Sequence, residues 1–279
     1  MSVDRSGTIA YASFPSFGDA QLFTIDANGR NRIRLLRHNG SDSEPSWSPD
    51  GRRIAFTSTS KTSIQGIFVA DANGRRVKQL TRHLTPPNDT FLDAHPRWSP
   101  DGRRLVFHRY RHNRTDLYVI GADGRGLRKI GPGFEPAWSP DGRKIAFALR
   151  LRELGNYDIY VSNPNGSGLR RVTRSPANDM NPDWSLDGQT LAFESRRHDD
   201  TDIYTIRSDG TGERRLTRAL DYDVAPVWSR NGKWIAFASR RIRTQFDIWV
   251  MNRDGSDQTR LTTDLKANDA QPAWRPPAR

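Results

Sequence analysis

Five aspartates stand three residues before a proline: Asp42, Asp93, Asp179, Asp223 and Asp269, with Gly133 interrupting the series. Immediately before the same prolines come Glu44, His95, Glu135, Asn181, Ala225 and Gln271. A third set, Arg109, Arg150, Arg196, Arg197, Arg240 and Arg241, follows a short apolar segment. Carboxylate, imidazole and guanidinium groups in such series can bind charged ligands, hold a cation or pair with one another. Motifs for catalysis are absent. There is no G-x-S-x-G elbow, no H-E-x-x-H, no acidic calcium loop and no glycine loop for phosphate. The six histidines, His38, His83, His95, His108, His112 and His198, lack metal-ligand spacing, although His95 and His108 share one repeat and could meet. Cysteine is absent, which removes disulfides and thiolate sites. The expectation is no catalytic residue, no metal and no cofactor.

The elements that carry these residues follow from the tryptophans. WSPDG stands at Trp47, Trp98 and Trp138, WSLDG at Trp184, WSRNG at Trp228, and a decayed WRPPAR at Trp274. The intervals of 51, 40, 46, 44 and 46 residues match one four-stranded propeller blade per repeat. In the clearest unit Pro96–Ser99 is a short strand, Pro100-Asp101-Gly102 a turn, and Arg104–His108 a second strand. A polar connection over 109–115 leads to a third strand at Leu117–Ile120, a turn at Asp123-Gly124 and a fourth strand at Leu127–Ile130. The expected fold is all-β, six blades of four antiparallel strands in a single domain.

The N-terminus is out of phase. Gly7–Tyr11 reads as a second strand, Gln21 onward as a third and Arg32–Leu36 as a fourth. The missing first strand is Pro272-Ala273-Trp274, so the C-terminal strand should complete the first blade and close the ring. Blade 1 is then 7–37 plus 271–275, followed by 44–82, 95–131, 135–174, 181–218 and 225–263. The tryptophans are expected to wedge between blades as core.

The ordered series WSPDG, IAF, DIY, glycine turn and LT resembles the repeat of TolB-like propellers over nearly the whole chain. That resemblance implies a six-bladed module for binding proteins or peptides, whose channel in TolB itself receives a peptidoglycan-associated lipoprotein. TolB carries an α/β domain before its propeller, whereas this chain enters the first blade by Thr8. Similar repeats accompany prolyl-oligopeptidase domains and form a pectate-degrading lyase.

Turns after first and third strands share one rim and are short. Connections after second and fourth strands share the other rim and vary, so recognition is expected there. The candidate binding residues are Asp42, Glu44, Asp93, His95, Glu135, Asp179, Asn181, Asp223, Asp269 and Gln271, with Arg109, Arg150, Arg196 and Arg240. The competing expectation is that the repeated Asp and Arg residues pair between blades and stiffen the ring, leaving Glu44, His95, Glu135 and Asn181 as the non-repeating candidates. Asp116, Asp158, Asp202 and Asp247, which open third strands, are expected to bond backbone amides within their blades.

The net charge of +12 is almost all arginine, since only six of the 44 basic residues are lysine. Arginine is spread over every repeat, which fits codon bias as well as an acidic partner. The leading expectation is a non-enzymatic propeller that takes a protein or peptide, acidic by charge balance, as a monomer without membrane insertion. The alternatives are a lyase on acidic polysaccharide and, third, a polyanion or nucleic-acid binder, which lacks an aromatic-basic surface motif. The first five residues have no apolar signal core, so the chain as it stands reads as cytoplasmic, or as periplasmic or extracellular if trimmed from a precursor.

Overall fold

Ser48, Asp50 and Gly51 show why WSPDG recurs. The Ser48 hydroxyl donates to Asp50 Oδ1 at 2.6 Å, and the Arg52 amide donates to the same oxygen at 3.0 Å. Gly51, at φ +66°, places its amide 2.9 Å from the Ser48 carbonyl. The turn thus satisfies its own polar groups. Ser99–Asp101, Ser139–Asp141 and Ser185–Asp187 repeat the arrangement, and Asn231 replaces the aspartate beside Ser229.

The computed structural model describes residues 7–37, 40–59, 65–81, 91–151, 155–197, 200–218, 221–242, 244–263 and 267–276. His38, His83, His198 and much of the expected variable connections (60–64, 82–90, 152–154, 198–199, 243) lie outside the described residues. Among the described residues the chain forms six four-stranded antiparallel sheets. The first strands of blades 2 to 6 are Ser41–Trp47, Leu92–Trp98, Phe134–Trp138, Asp179–Trp184 and Asp223–Trp228. Blade 1 takes its first strand from Ala267–Trp274, which pairs with Thr8–Pro15 in the register Ile9↔Trp274 and Ser13↔Asp269. The ring is closed by its two ends, as the displaced repeat requires.

Packing follows the blade boundaries. Six buried clusters each join two neighbouring blades around one repeat tryptophan. Trp98, for example, packs with Ala55, Ile67, Val69 and Leu80 of blade 2 and with Leu105, Phe107 and Ile120 of its own blade. The six indoles are 2–8% exposed. At the closing boundary Trp234 also stacks on Trp274 at 6.1 Å.

Three sequence expectations need correction. The connection over 109–115 is mostly strand: Arg104–Arg111 and Arg114–Gly121 meet in a two-residue hairpin at His112 and Asn113, whose φ values are 49° and 58°. Both central residues left-handed is the turn whose twist matches a tight hairpin, and asparagine tolerates it. The aspartates opening third strands pair with the basic residue of the fourth strand rather than with backbone amides. Asp158–Arg171 spans 2.7 Å, Asp202–Arg215 2.5 Å, Asp247–Arg260 2.6 Å and Asp116–Lys129 2.7 Å. The amide at the following position is taken by the threonine of the LT pair, as in Ile159 N–H to Thr173 Oγ1 at 2.9 Å.

The third correction concerns the aspartates before each first strand. Their arginine and serine partners lie within the blade, because strand register sets a second-strand residue opposite each one. The link between blades is instead a threonine: Asp179, Asp223 and Asp269 also bond Thr173, Thr217 and Thr262 of the preceding blade. Asp93 faces Arg109 and accepts from it at 2.6 and 2.9 Å. Ser58 donates to Asp42 at 2.7 Å and Ser195 to Asp179 at 2.5 Å. Ser239 and Ser13 stand opposite Asp223 and Asp269. Gly133 breaks the series for a steric reason. A Cβ there would lie 2.5 Å from the Phe147 ring, at φ +138°.

Candidate functional site

Each first strand contains a bulge. Registers slip between Ser43 and Ser46, Ala94 and Arg97, Phe134 and Ala137, Met180 and Asp183, Val224 and Val227, and across Gln271 in blade 1. The extra residue is left-handed in every blade: Glu44 at φ 55°, His95 at 55°, Glu135 at 52°, Asn181 at 50°, Ala225 at 52° and Gln271 at 56°. None is glycine, and left-handed backbone costs roughly 1–2 kcal/mol per residue. The following proline has no N–H to lose from the ladder, which suits a bulge on the innermost strand.

These six positions converge around the central channel, and side chains supply the acceptors that the bulged amides lack. Gln271 Oε1 accepts from the Glu44 amide at 3.0 Å. Glu44 Oε2 accepts from the His95 amide at 2.7 Å and from Thr57 Oγ1 at 2.5 Å. His108 Nδ1 accepts from the Glu135 amide at 3.2 Å, and Glu135 Oε2 from the Asn181 amide at 2.9 Å. Glu194 Oε2 accepts from the Ala225 amide at 2.7 Å. The relay ends there, because Ala225 and the neighbouring Ala238 have no acceptor to offer Gln271.

The electrostatics follow from burial. His95 Nδ1 lies 2.8 Å from Glu44 Oε1. Burial alone would raise the Glu44 carboxyl, but the facing His95 charge and hydrogen bond hold it well below the usual carboxylate range. Burial also opposes a charge on His95, yet Glu44 outweighs it and moves that imidazole upward. His108 stacks on His95 at 5.2 Å. Burial, then the His95 charge, pushes His108 down to about 3, which agrees with its neutral acceptor role. Burial raises Glu135, and burial with the Glu135 charge pushes Glu194 up to about 7.

The channel is uneven along its axis. At the bulges only about 10 Å³ is open, ringed by Glu44, His95, Glu135, Asn181, Ala225 and Gln271. On the side of the short turns it widens into a cavity of about 110 Å³ between the tryptophans.

The structure therefore brings Glu44, His95, Glu135, Asn181 and Gln271 together and sends the other sequence candidates elsewhere. Asp42, Asp93, Asp179, Asp223 and Asp269 are fully buried, and none lines the channel. Arg109 is committed to Asp93 and stacks on Phe91 at 3.8 Å. Arg240 pairs with Asp221 at 2.9 Å, while its neighbour Arg241 takes Asp223 at 2.5 Å. Arg197 likewise takes Asp179 and Glu213, leaving Arg196 exposed. Arg196 borders a groove of about 790 Å³ between blades 4 and 5, with Arg174 and Glu213. Arg150 is exposed, 5.9 Å over the Tyr157 ring. Among the described residues no group of three His, Cys, Asp or Glu side chains converges as a metal site. Sequence reasoning missed Glu194, Arg97 and Asp183 in the channel wall. Their signal was departure from the repeat, at the position after IAF or LAF and the position before tryptophan.

The sequence profile described as the TolB beta propeller domain matches residues 131–279, more than half of the chain. The chain belongs to the TolB β-propeller domain family. Its sequence is 34% identical over 201 residues to "Protein TolB homolog" of Chlorobium luteolum, covering 68% of this chain and 43% of that relative. It is 34% identical over 113 residues to "Tol-Pal system protein TolB" of Anaeromyxobacter dehalogenans, covering 40% of this chain and 24% of that one. The chain thus spans less than half the length of these relatives. Its fold is similar to the crystal structure of TolB from Acinetobacter baumannii, with a TM-score of 0.84 at 22% identity, over 99% of this chain and 68% of that one.

Proposed function

We propose that this propeller is a non-enzymatic binding module whose channel mouth, on the bulge side, takes a protein or peptide. The observation that carries the reading is the bulge ring itself. Six positions share one strained backbone but not one side chain, so the scaffold is repeated while the chemistry is not. Backbone strain held at a concave polar mouth is a mark of recognition surfaces. Membership of the TolB propeller family supports a protein partner, and the name of the Anaeromyxobacter relative associates that protein with the Tol-Pal system. Exposed Arg150, Arg174 and Arg196 on the same rim favour an acidic partner.

Glu44 and His95 also hold backbone amides, so their replacement would test scaffold as much as recognition. Ala225→Trp is the cleaner variant, because it fills the mouth and removes no hydrogen bond. Wild-type protein should retain a partner from lysate of the source cells, and Ala225→Trp should lose that same partner at unchanged melting temperature. Arg230→Met, at the opposite mouth, should keep it. Equal retention by the folded Ala225→Trp variant would refute the proposed face.

A further inference from the structure

Blades 5 and 6 carry an arginine at the same place after the second strand, Arg196 and Arg240, and treat it differently. Arg240 donates from Nε and Nη2 to both oxygens of Asp221, at 2.9–3.2 Å. Backbone bonds fix which residue of blade 5 corresponds to Asp221. The Arg240 amide donates to the Tyr222 carbonyl at 3.0 Å, and the Arg196 amide to the Asn178 carbonyl at 3.0 Å. Asp223 stands opposite Ser239 as Asp179 stands opposite Ser195. Ala177 is therefore the counterpart of Asp221. Blade 5 repeats the guanidinium and omits the carboxylate.

Ala177 lies in the wall of the groove of about 790 Å³ between blades 4 and 5, with Arg174, Ser175, Pro176 and Arg196. This wall is held in place before any ligand arrives. Asn156 Nδ2 donates to the Ser175 and Ala177 carbonyls at 2.8 and 2.9 Å. The Tyr157 amide donates to Asn178 Oδ1 at 3.0 Å, and the Ala177 amide to Ser175 Oγ at 3.0 Å. A preformed wall loses little freedom when a segment docks on it. The acidic residue of the lining, Glu213, is committed to Arg197, which also takes Asp179. Arg174 and Arg196 face the same concavity and have no ion pair among the described residues. Water solvates an exposed guanidinium well, so charge alone selects nothing. The selective feature is position: one blade on, the same guanidinium holds a carboxylate in a two-pronged pair against the same stretch of backbone.

We propose that this groove docks an extended acidic segment of the partner. One carboxylate of that segment takes on Arg196 the place that Asp221 takes on Arg240, and a second meets Arg174. The inference rests on the reading of this rim as a protein-binding surface, and adds the partner's chemistry and the two blades it meets.

The probe is a capped hexapeptide alternating glutamate and alanine, which when extended turns its carboxylates to one side. Its glutamine analogue and inorganic phosphate are the comparisons. In a calorimetric titration the glutamate peptide should bind about tenfold or more tighter than the glutamine analogue, and tighter than phosphate. Arg174→Met and Arg196→Met should each weaken it about fivefold. Ala177→Asp, which restores the internal carboxylate, should lose most of the binding, whereas Ala177→Asn, of the same size without the charge, should keep it. All four variants alter exposed or half-exposed side chains and should melt no lower than wild type. Equal affinity for the glutamine analogue, tighter binding of phosphate, no binding at millimolar peptide, undiminished binding by both arginine variants, or equal loss in Ala177→Asp and Ala177→Asn would overturn the proposal. A partner lost by Ala225→Trp but retained by Ala177→Asp would remove the groove and leave the channel mouth standing. A partner lost by Ala177→Asp but retained by Ala225→Trp would do the reverse.

Discussion

The wall of the channel made by blades 2 to 5 differs from the wall at the closing boundary, where blade 6 meets blade 1. In the first, Glu44, His95, Glu135 and Asn181 sit at the bulges, with Thr57, His108 and Glu194 beside them, and side-chain acceptors pass from blade to blade. In the second the same slots hold Ala225, Val227, Ala238, Ala12 and Ala273, and only Gln271 is polar. Stability there comes from Ile9, Tyr11, Ile248, Val250, Leu261 and the stacked Trp234 and Trp274. Closure of this ring rests on packing where its ends meet, and polar specificity is confined to the uninterrupted arc.

Breaking the closing boundary should have the largest effect. Trp274→Ala removes an indole that is 6% exposed and should cost about 3–5 kcal/mol in urea unfolding. It should exceed Trp98→Ala, which leaves the terminal strand docked. An equal loss at both sites would mean that the boundary is an ordinary blade interface.

The polar arc should reveal itself through pH. Glu194, pushed up to about 7 from 4.5, keeps its proton in the folded ring over a range where the unfolded chain has lost it. The folded state then binds more protons, so this contribution to stability falls as pH rises from about 4.5 to 7. Glu194→Gln keeps an oxygen for the Ala225 amide and should stabilise the protein by roughly 1–3 kcal/mol at pH 8, with little effect at pH 4.5. The difference between denaturation midpoints at the two values measures it, and no difference would remove the buried charge from the account.

The smallest effects belong to the outer rim. Arg150→Met and Arg196→Met should each change stability by less than about 0.5 kcal/mol, since neither residue joins the buried pairs. A larger loss at Arg196 would show that it shares the Asp179–Glu213 network of Arg197.

Much of the fold was legible because its signals are local. Serine, aspartate and glycine within five residues specify the turn, and a strand missing at one end and surplus at the other specifies closure. The bulges were not legible. Glu, His, Asn, Ala and Gln share one left-handed conformation that none of them prefers, and a proline marks only where the ladder tolerates it. Arginine doublets hid their roles for a similar reason. Whether Arg240 or Arg241 reaches the buried aspartate depends on register and on Asp221, not on residue type. Glu194 was not singled out, because nothing in a single strand shows which face meets the channel. His108, by contrast, was expected to be able to meet His95, and it stacks on that ring at 5.2 Å.

Amide hydrogen exchange at the six bulge positions tests the difference between the two walls most directly. The account predicts slow exchange at Glu44, His95, Glu135, Asn181 and Ala225, whose amides have side-chain acceptors, and markedly faster exchange at Gln271. Uniform protection around the ring, or fast exchange at Glu44 and His95, would contradict it.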